Sequence, residues 1–366
     1  MRVLRAGELG EAHWAAWLAF HRANPLLASP CFHPQFARGL VASDYDVQVA
    51  VAERDGAVEA LFGFERDGRR GRPMGAPMND FQGVIAAPGG AFDTHALMRA
   101  AGLRTMAFDH LLQDLQVLGE HVERVQPSPY CDIGGGLDAY RARLGRGKTA
   151  LSTTLQLARK AARELGELRL DFQCTDPAVL DTLFAWKSRQ YRDTGVHDLF
   201  AEERPRRFLR WMFDQREPVD GFCGVMTTLH AGDQLLAVHL GMRAGHVLHS
   251  WFPSYNTTLR KYSPGRILLA KIAEAAPALG LARIDLGKGR EMYKAHSMTG
   301  SVAVCEGRIE TGTLQRVFGR RQRALIAALR ESAAWEQLRA LKRRYLRARL
   351  DGRDSAALPS PHPDEN

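Results

Sequence analysis

The amino-acid sequence predicts a mixed α/β protein built from two lobes in tandem. Residues 251–294 read as strand, turn, helix, strand and loop, and three apolar segments separated by short turns precede them over 222–252. A β-β-loop-β-α-β order over 47–108 is a degenerate copy of that pattern, although no repeat is exact. Each lobe is therefore expected to hold a mixed, mostly antiparallel sheet flanked by helices.

Turn residues and apolar periodicity set the elements of the first lobe. Asn24-Pro25 ends a first helix, and Arg54-Asp55-Gly56 is a hairpin turn between two strands. The expected elements are a helix over 11–21, strands over 47–52 and 57–65, a loop over 73–77, a strand over 81–86, a helix over 94–102 and a strand over 105–108.

The second lobe follows a long basic helix over 137–165 that Gly166 ends. Its expected elements are strands over 168–172, 222–229, 234–243, 246–252, 282–286 and 302–304, with helices over 181–194, 203–213 and 264–279. The predicted domains are 1–135 and 136–310 for the two lobes, 311–350 for basic carboxyl-terminal helices and 351–366 for a disordered tail.

Charge and composition narrow the classes of function. The net charge is +9, but residues 314–351 alone hold eleven Lys and Arg against three acidic residues. The rest of the chain is close to neutral, which argues against a nucleic-acid groove through the main fold. With no signal peptide, no apolar run of about 20 residues and five scattered cysteines, a cytoplasmic protein with reduced thiols is expected.

The turn Tyr262-Ser263-Pro264-Gly265-Arg266 precedes a good helix-forming segment and is the predicted donor site. Ser263 is a suitable N-cap, and Pro264 then occupies the first helical position, where its missing N–H is not needed. Gly265 would let a bulky group approach the backbone. A helix start of this kind suits a phosphate or pyrophosphate, although an ordinary capped helix without a ligand explains the pattern equally well.

The segment that follows the strand over 282–286 carries candidate catalytic residues. Asp285 would orient or deprotonate an acceptor, and Lys288 would hold an anion or polarise a carbonyl group. Lys294 would meet an acidic group of the substrate. The alternatives are an Asp285–Lys288 pair that pins the loop, and a solvated charged face.

His239 lies within an apolar strand and is a second candidate for the general base, against the alternative of a satisfied core histidine. His230, His246 and His249 lie nearby in sequence, but no metal-site template is present, so no metal is expected. The segment RLGRGKT resembles the end of a phosphate-binding P-loop, yet Ala142 replaces the glycine that such a loop requires.

The segments SPCFHPQF, DFQGVIA, WKSRQYRDTG, YSPGRILL and DLGKGREMYK resemble the CelD/BcsL family of acetyltransferases, over about residues 28–307. That family belongs to the GNAT superfamily and is similar to the FemABX aminoacyltransferases. The resemblance implies two tandem GNAT-like lobes and acetyl-CoA, or another acyl-CoA, as donor. It implies that Tyr293 returns a proton to the leaving thiolate, with a packing aromatic as the alternative.

The same resemblance places the helix with Lys187, Gln190 and Tyr191 beside the acceptor cleft, with Asp80 to Gln82 facing it from the first lobe. An ordinary amphipathic helix is the alternative. The expected activity is acyl transfer to an amine or hydroxyl of a small-molecule or glycan acceptor, which the resemblance leaves unidentified, in polysaccharide or cell-envelope biosynthesis. The alternatives are aminoacyl transfer from aminoacyl-tRNA and a non-catalytic partner module.

The basic carboxyl-terminal helices raise one further expectation. Their narrow apolar stripe would pack on the second lobe, and their basic face would be solvated. The alternative is peripheral contact of that face with an anionic membrane.

Overall fold

The strands of both halves of the chain join in one continuous sheet. The computed structural model describes residues 1–115, 121–145, 148–289 and 291–311. The strands over these residues are β1 Arg2–Arg5, β2 Gln48–Arg54, β3 Ala57–Asp67, β4 Arg70–Pro73, β5 Ile85–Ala86, β6 Thr105–Leu112, β7 Val122–Asp132, β8 Leu168–Asp171, β9 Phe222–Ala231, β10 Gln234–Ala244, β11 Val247–Tyr255, β12 Arg283–Asp285 and β13 Gly300–Glu310.

Helices pack on this sheet. Their bounds are α1 Glu11–Ala23, α2 Pro34–Ala42, α3 Thr94–Ala100, α4 Gly136–Arg143, α5 Lys148–Leu165, α6 Pro177–Thr194, α7 Glu203–Asp214, α8 Pro264–Leu279 and α9 Met292–Ser297. A 3-10 helix over Thr257–Tyr262 leads into α8.

The strand order is β1-β2-β3-β4-β6-β13-β7-β12-β11-β10-β9-β8, with β5 beside β3. Neighbours are antiparallel except β4 with β6 and β11 with β12. Each parallel pair is connected through a segment that contains a helix, α3 in the first half and α8 in the second. The fold is therefore the predicted mixed α/β class, and the two halves repeat the same order of elements.

The two halves exchange their last strands. β7, from the first half of the chain, pairs with β12 of the second, and β13 of the second half pairs with β6 of the first. β7 and β13 also pair with each other over eight residue pairs. The predicted domain boundary at residue 135 falls between β7 and α4, and it stays a prediction.

Two prolines explain why the sequence did not predict β7. Pro127 and Pro129 read as breakers, because proline cannot donate to a strand ladder. In the sheet, the carbonyl of Pro129 accepts a hydrogen bond from the Leu286 N–H at 2.9 Å, on the side away from β13. Backbone polar groups of residues two apart on a strand point to the same side, so those of Pro127 also point away from β13. The ladder with β13 therefore does not need the missing N–H groups.

One apolar core crosses from one half to the other. It includes Trp17 and Phe36 from the first half and Phe208 and Trp251 from the second. The rings of Phe36 and Phe208 meet edge to face with centroids 5.4 Å apart, and the Trp251 indole donates to the Met78 carbonyl at 2.8 Å. The halves are therefore joined by buried packing.

Most predicted elements are confirmed, with shifted ends. The predicted helix over 137–165 is instead α4 and α5, with Gly145 near the break. The predicted strand over 81–86 is reduced to β5, because Gln82 makes a separate bridge to Leu111. β1, β4, α2 and α9 were not predicted.

The predictions for the basic helices over 311–350 and for the tail over 351–366 lie outside the described residues, apart from Thr311. No helix in the described part of the chain is long and apolar enough to cross a membrane. The five cysteines are buried and free.

The packing between the halves leads to a stability prediction. A Cβ on Gly39 in α2 would lie 2.3 Å from the Trp211 ring of α7. Gly39→Val should therefore destabilise the fold by about 1–3 kcal/mol through overpacking, measured by urea unfolding. Gly7→Val is the control, since a Cβ there meets nothing within 4 Å. Equal unfolding midpoints for the two variants would contradict this packing.

Candidate active site

A cavity of about 530 Å³ lies where α6, β11, the start of α8 and the loop after β12 meet. Its wall contains most of the residues that the sequence nominated. These are Lys187, Gln190 and Tyr191 of α6, Ser263, Pro264, Gly265 and Arg266 of the turn, and Lys288, Tyr293 and Lys294 after β12. Three nominated residues, Tyr262, His239 and Asp285, are not part of the wall.

The cavity exists because β11 and β12 diverge. Their parallel pairing runs over three residue pairs and ends at His249 with Asp285. Directly beyond, between the pairs Met242–His249 and Leu240–Phe252, β11 has one residue more than β10. Such a bulge bends and twists the strand that carries it. The edge of β11 that follows, from Ser250 to Tyr255, therefore borders the cavity instead of a neighbouring strand.

The turn before α8 adopts a less common conformation than the sequence predicted. Pro264 is the first helical residue, as expected, but Ser263 has φ +56° and its side chain caps nothing. Ser263 is left-handed because it also ends the preceding 3-10 helix. Its carbonyl accepts from the N–H groups of Arg266 and Ile267 at 3.0 and 3.2 Å, so the predicted side-chain cap is wrong.

Two residues of this turn are held by the protein itself. Tyr262 is buried, and its hydroxyl donates to the Glu164 carboxylate at 2.6 Å. Tyr262 therefore anchors the turn to α5 and does not line the cavity. Arg266 lines the cavity and donates to the Ala150 carbonyl of α5.

The three nominated residues of α6 lie together. Lys187 Nζ donates to Gln190 Oε1 at 3.1 Å and lies 5.5 Å from the centre of the Tyr191 ring. Burial, together with the charge of Lys294, lowers the pKa of Lys187 to about 8. Burial also raises the pKa of Tyr191.

The loop after β12 is tied to the rest of the protein by two lysines. Lys288 Nζ binds Glu306 and the Asp109 carbonyl, both at 2.7 Å, so it does not pair with Asp285. Lys294 Nζ donates to the carbonyls of Gly287 and Lys288.

Tyr293, by contrast, is 38% exposed in the cavity wall. Burial of its hydroxyl, and then the charge of Glu291, raise its pKa, so the phenol keeps its proton at neutral pH.

Asp285 is fully buried and pairs with Arg283, whose Nε donates to Oδ1 at 2.6 Å. Residues two apart on a strand share a face, so the sequence contained this signal. Burial raises the pKa of Asp285, and Arg283 opposes that shift. The geometry therefore supports a structural role for Asp285, with a partner different from the predicted Lys288.

His239 is also buried, and neither ring nitrogen has a hydrogen-bond partner among the described residues. A Cβ on Gly241 would lie 2.5 Å from the ring, so the glycine makes room for it. Burial lowers the pKa of His239 to about 3, and the neighbouring His249 and Lys187 act in the same direction. The ring is therefore a neutral core group in this fold, not a base in contact with the cavity.

Asp80 brings the first half of the chain to the cavity. Its Oδ2 lies 3.0 Å from the His249 ring nitrogen Nε2, and its Oδ1 lies 3.7 Å from Nε2 of His110. Burial opposes ionisation of Asp80, but His249, His110 and Lys294 together hold its pKa below the ordinary value. Asp80 is thus a fixed carboxylate with 24% of its side chain exposed.

Comparison with known proteins bears on the second half of the chain. Residues 150–295 match the family model described as Acetyltransferase (GNAT) domain. That span runs from α5 to α9 and includes the turn, the diverging strands and the nominated lysines. No group of His, Cys, Asp and Glu side chains within the described residues could hold a metal ion. A search of curated proteins finds no match.

Solved structures share the fold over most of the chain. FemX superposes with a TM-score of 0.56 at 10% identity, covering 87% of this chain and 99% of FemX. A Bacteroides thetaiotaomicron protein of unknown function gives 0.53 at 14% identity, over 82% and 98%. The C-terminal domain of a candidate lysylphosphatidylglycerol synthetase from Agrobacterium fabrum gives 0.51 at 14%, over 85% and 96%. The superpositions show a common fold, and at sequence identities of 10–14% they show the fold alone.

The buried histidine generates a pH prediction. A folded pKa of about 3 lies below the unfolded value of 6.5, so His239 stabilises the fold above pH 6.5 and this contribution is lost as the pH falls toward 3. His239→Leu should therefore lower the pH dependence of the unfolding free energy below pH 6.5, by up to about 1.4 kcal/mol per pH unit.

The measurement is urea unfolding from pH 7.5 to 4.5. His246→Leu is the control, because His246 is exposed. An unchanged slope in His239→Leu would show that the ring is accessible to protons in the folded state.

Proposed function

We propose that the protein transfers an acyl group, in the first place acetyl, from an acyl-CoA to an amine or hydroxyl acceptor. The observation that carries this is the cavity itself, which joins the turn before α8 to the free edge of β11 and to the polar groups of α6 and α9. The GNAT match over the same residues supports the proposal.

The turn fits the phosphate groups of such a donor. A Cβ on Gly265 would meet no atom closer than Tyr255 Cδ1 at 3.9 Å, so the backbone there faces open space. The Ser263 carbonyl already accepts from two N–H groups of this first turn, which leaves the N–H of Gly265 and the partial positive charge of the helix start for a phosphate. Arg260 and Arg266, both in the cavity wall, add positive charge for a pyrophosphate.

A thioester supplies an acyl group that is already activated, which leaves positioning and charge stabilisation to the protein. The edge of β11 beyond Ser250 would receive the donor chain, and its backbone N–H groups would stabilise negative charge on the acyl oxygen. Asp80 would accept a hydrogen bond from the attacking amine or hydroxyl, whose proton would pass to solvent as its bond to the acyl carbon forms and the carbon–sulfur bond breaks. Tyr293, which keeps its proton, would donate to the departing sulfur.

We also propose a class of acceptor and a pathway. The resemblance to CelD/BcsL acetyltransferases supports a small-molecule or glycan acceptor in polysaccharide or cell-envelope biosynthesis. Peripheral contact of the basic carboxyl-terminal helices with an anionic membrane would suit such a role, and it concerns residues outside those described.

The shared fold with FemX keeps aminoacyl transfer from aminoacyl-tRNA as the second candidate. Calorimetric titration of the full chain with CoA separates the two, because a tRNA-dependent enzyme has no need of a CoA site. Failure of CoA to bind would favour the second candidate.

The donor site can be tested at Gly265. Gly265→Val should weaken CoA binding at least tenfold, because the added side chain occupies the space above the helix start, while the unfolding midpoint stays close to that of the wild type. Gly10→Val is a matched control, since its Cβ also has only an ordinary contact, at 3.8 Å. Undiminished CoA affinity in Gly265→Val would remove the turn from the donor site.

The acceptor side can be tested at Asp80. Asp80→Asn should retain CoA binding and lose about 10²-fold or more in the acceptor-dependent release of CoA from acetyl-CoA, as expected for a group that positions a transferred proton. Asp109→Asn is the control, because Asp109 bonds His110 and Gln82 in the same cluster but does not line the cavity. Equal losses in both variants would assign Asp80 a structural role.

A further inference from the structure

The buried lysines of the cavity wall, Lys187 and Lys294, are compensated to different degrees. Lys294 is buried, but it donates to two carbonyls and pairs with Glu291 at 3.3 Å. Lys187 is equally buried, with 7% exposure, and its one hydrogen bond goes to a neutral amide oxygen, that of Gln190. Within the described part of the chain, no carboxylate lies within ion-pair distance of Lys187.

A buried ammonium group without an anion is unfavourable. Desolvation destabilises the charged form, and leaving one partner of a buried pair without the other costs several kcal/mol. The charge of Glu291 favours the ammonium form of Lys187, but this effect is weaker than the repulsion from Lys294. The fold thus keeps a cation in the cavity wall without supplying its counter-charge.

The ammonium group is nevertheless held in a defined position. An ammonium has three donors, and Gln190 accepts one of them at 3.1 Å. The Tyr191 ring lies on another side, with its centre 5.5 Å from Nζ. At least one donor is left for a group that enters the cavity.

We propose that Lys187 is an anion receptor, and that the acceptor carries a carboxylate or a phosphate group which pairs with it. This rests on the proposed acyl transfer. Asp80, in the same cavity, offers a place for the attacking amine or hydroxyl. The acceptor class that fits both groups is an amino or hydroxy compound that also bears an acid group, such as an amino acid or a sugar phosphate.

Chemical labelling of the full chain measures the charge state of Lys187. 1-Fluoro-2,4-dinitrobenzene is uncharged and reacts with neutral amines, so the rate of Lys187 labelling against pH, read by peptide mass spectrometry, gives its pKa. The titration is run on the CoA-saturated protein with phosphate, with acetate, and with potassium chloride at the same ionic strength. Lys271, which is paired with Glu274 outside the cavity, is the internal reference.

Binding of an anion should raise the pKa of Lys187 by a unit or more, which slows its labelling at pH 8 about fivefold relative to chloride. Labelling of Lys271 should not change. The anion with the larger effect identifies the acid group of the acceptor. If both anions leave the Lys187 curve at its chloride position, neither anion pairs with the side chain and the proposal is overturned.

Thermal unfolding gives a second reading that does not depend on access of the reagent. With CoA at saturation, so that the donor site is occupied, phosphate or acetate should raise the unfolding temperature of the wild type and of Lys187→Arg, but not that of Lys187→Met. Without anions, Lys187→Met should be at least as stable as the wild type, since it removes an uncompensated charge. Equal anion effects in wild type and Lys187→Met would overturn the proposal.

CoA binding distinguishes failure of this inference from failure of the proposed function. If Lys187→Met loses CoA affinity tenfold or more, Lys187 belongs to the donor site and the acceptor assignment falls. If the wild type binds no CoA while anions still shift Lys187, the anion receptor remains and the proposed acyl transfer falls, together with the assignment of the anion to an acceptor.

Discussion

The divergence of β11 from β12 is the constraint on which the rest of the site depends. Two parallel strands that stayed paired would satisfy each other's backbone groups and leave no room between them. Here pairing stops at His249 and Asp285, and the extra residue in β11 directs the strand away. The space that opens is bordered by the edge of β11 that faces no other strand and by the start of α8.

The same divergence explains the charge pattern around the cavity. Just before the opening, the His249 ring lies against Asp80, and Arg283 donates to Oδ1 of Asp285, so each of these carboxylates has a basic partner, although Oδ2 of Asp285 has no hydrogen-bond partner among the described residues. Further out, Lys288 is bound to Glu306 and Lys294 to Glu291. Lys187 is the lysine of the wall that the described residues leave without a carboxylate. The ion pairs of Lys288 and Lys294 fix the loop after β12, whereas the ammonium group of Lys187 is available to a ligand.

Sequence reasoning succeeded where the information is local. The helix α8 spans Pro264–Leu279 as predicted, because Pro264 favours a helix start and the left-handed Gly280 directly after Leu279 ends it. It was less successful where the decisive contact lies far along the chain. The burial of His239 depends on sheet packing on both sides, and the position of Asp80 depends on β11, 169 residues away. β7 was missed because its prolines are tolerated only through the particular edge that each presents to β12 and β13.

Strand exchange makes the site a property of the whole described chain. The segment that matches the GNAT family model, 150–295, lacks β7 and β13. Cut out alone, it would leave β12 without its antiparallel neighbour, and the strand next to the cavity would become an open edge. It would also lack Asp80, and with it the carboxylate that faces the nominated acceptor residues. The first half of the chain therefore completes the second, because it supplies both a strand that holds β12 in place and a charged group in the cavity wall.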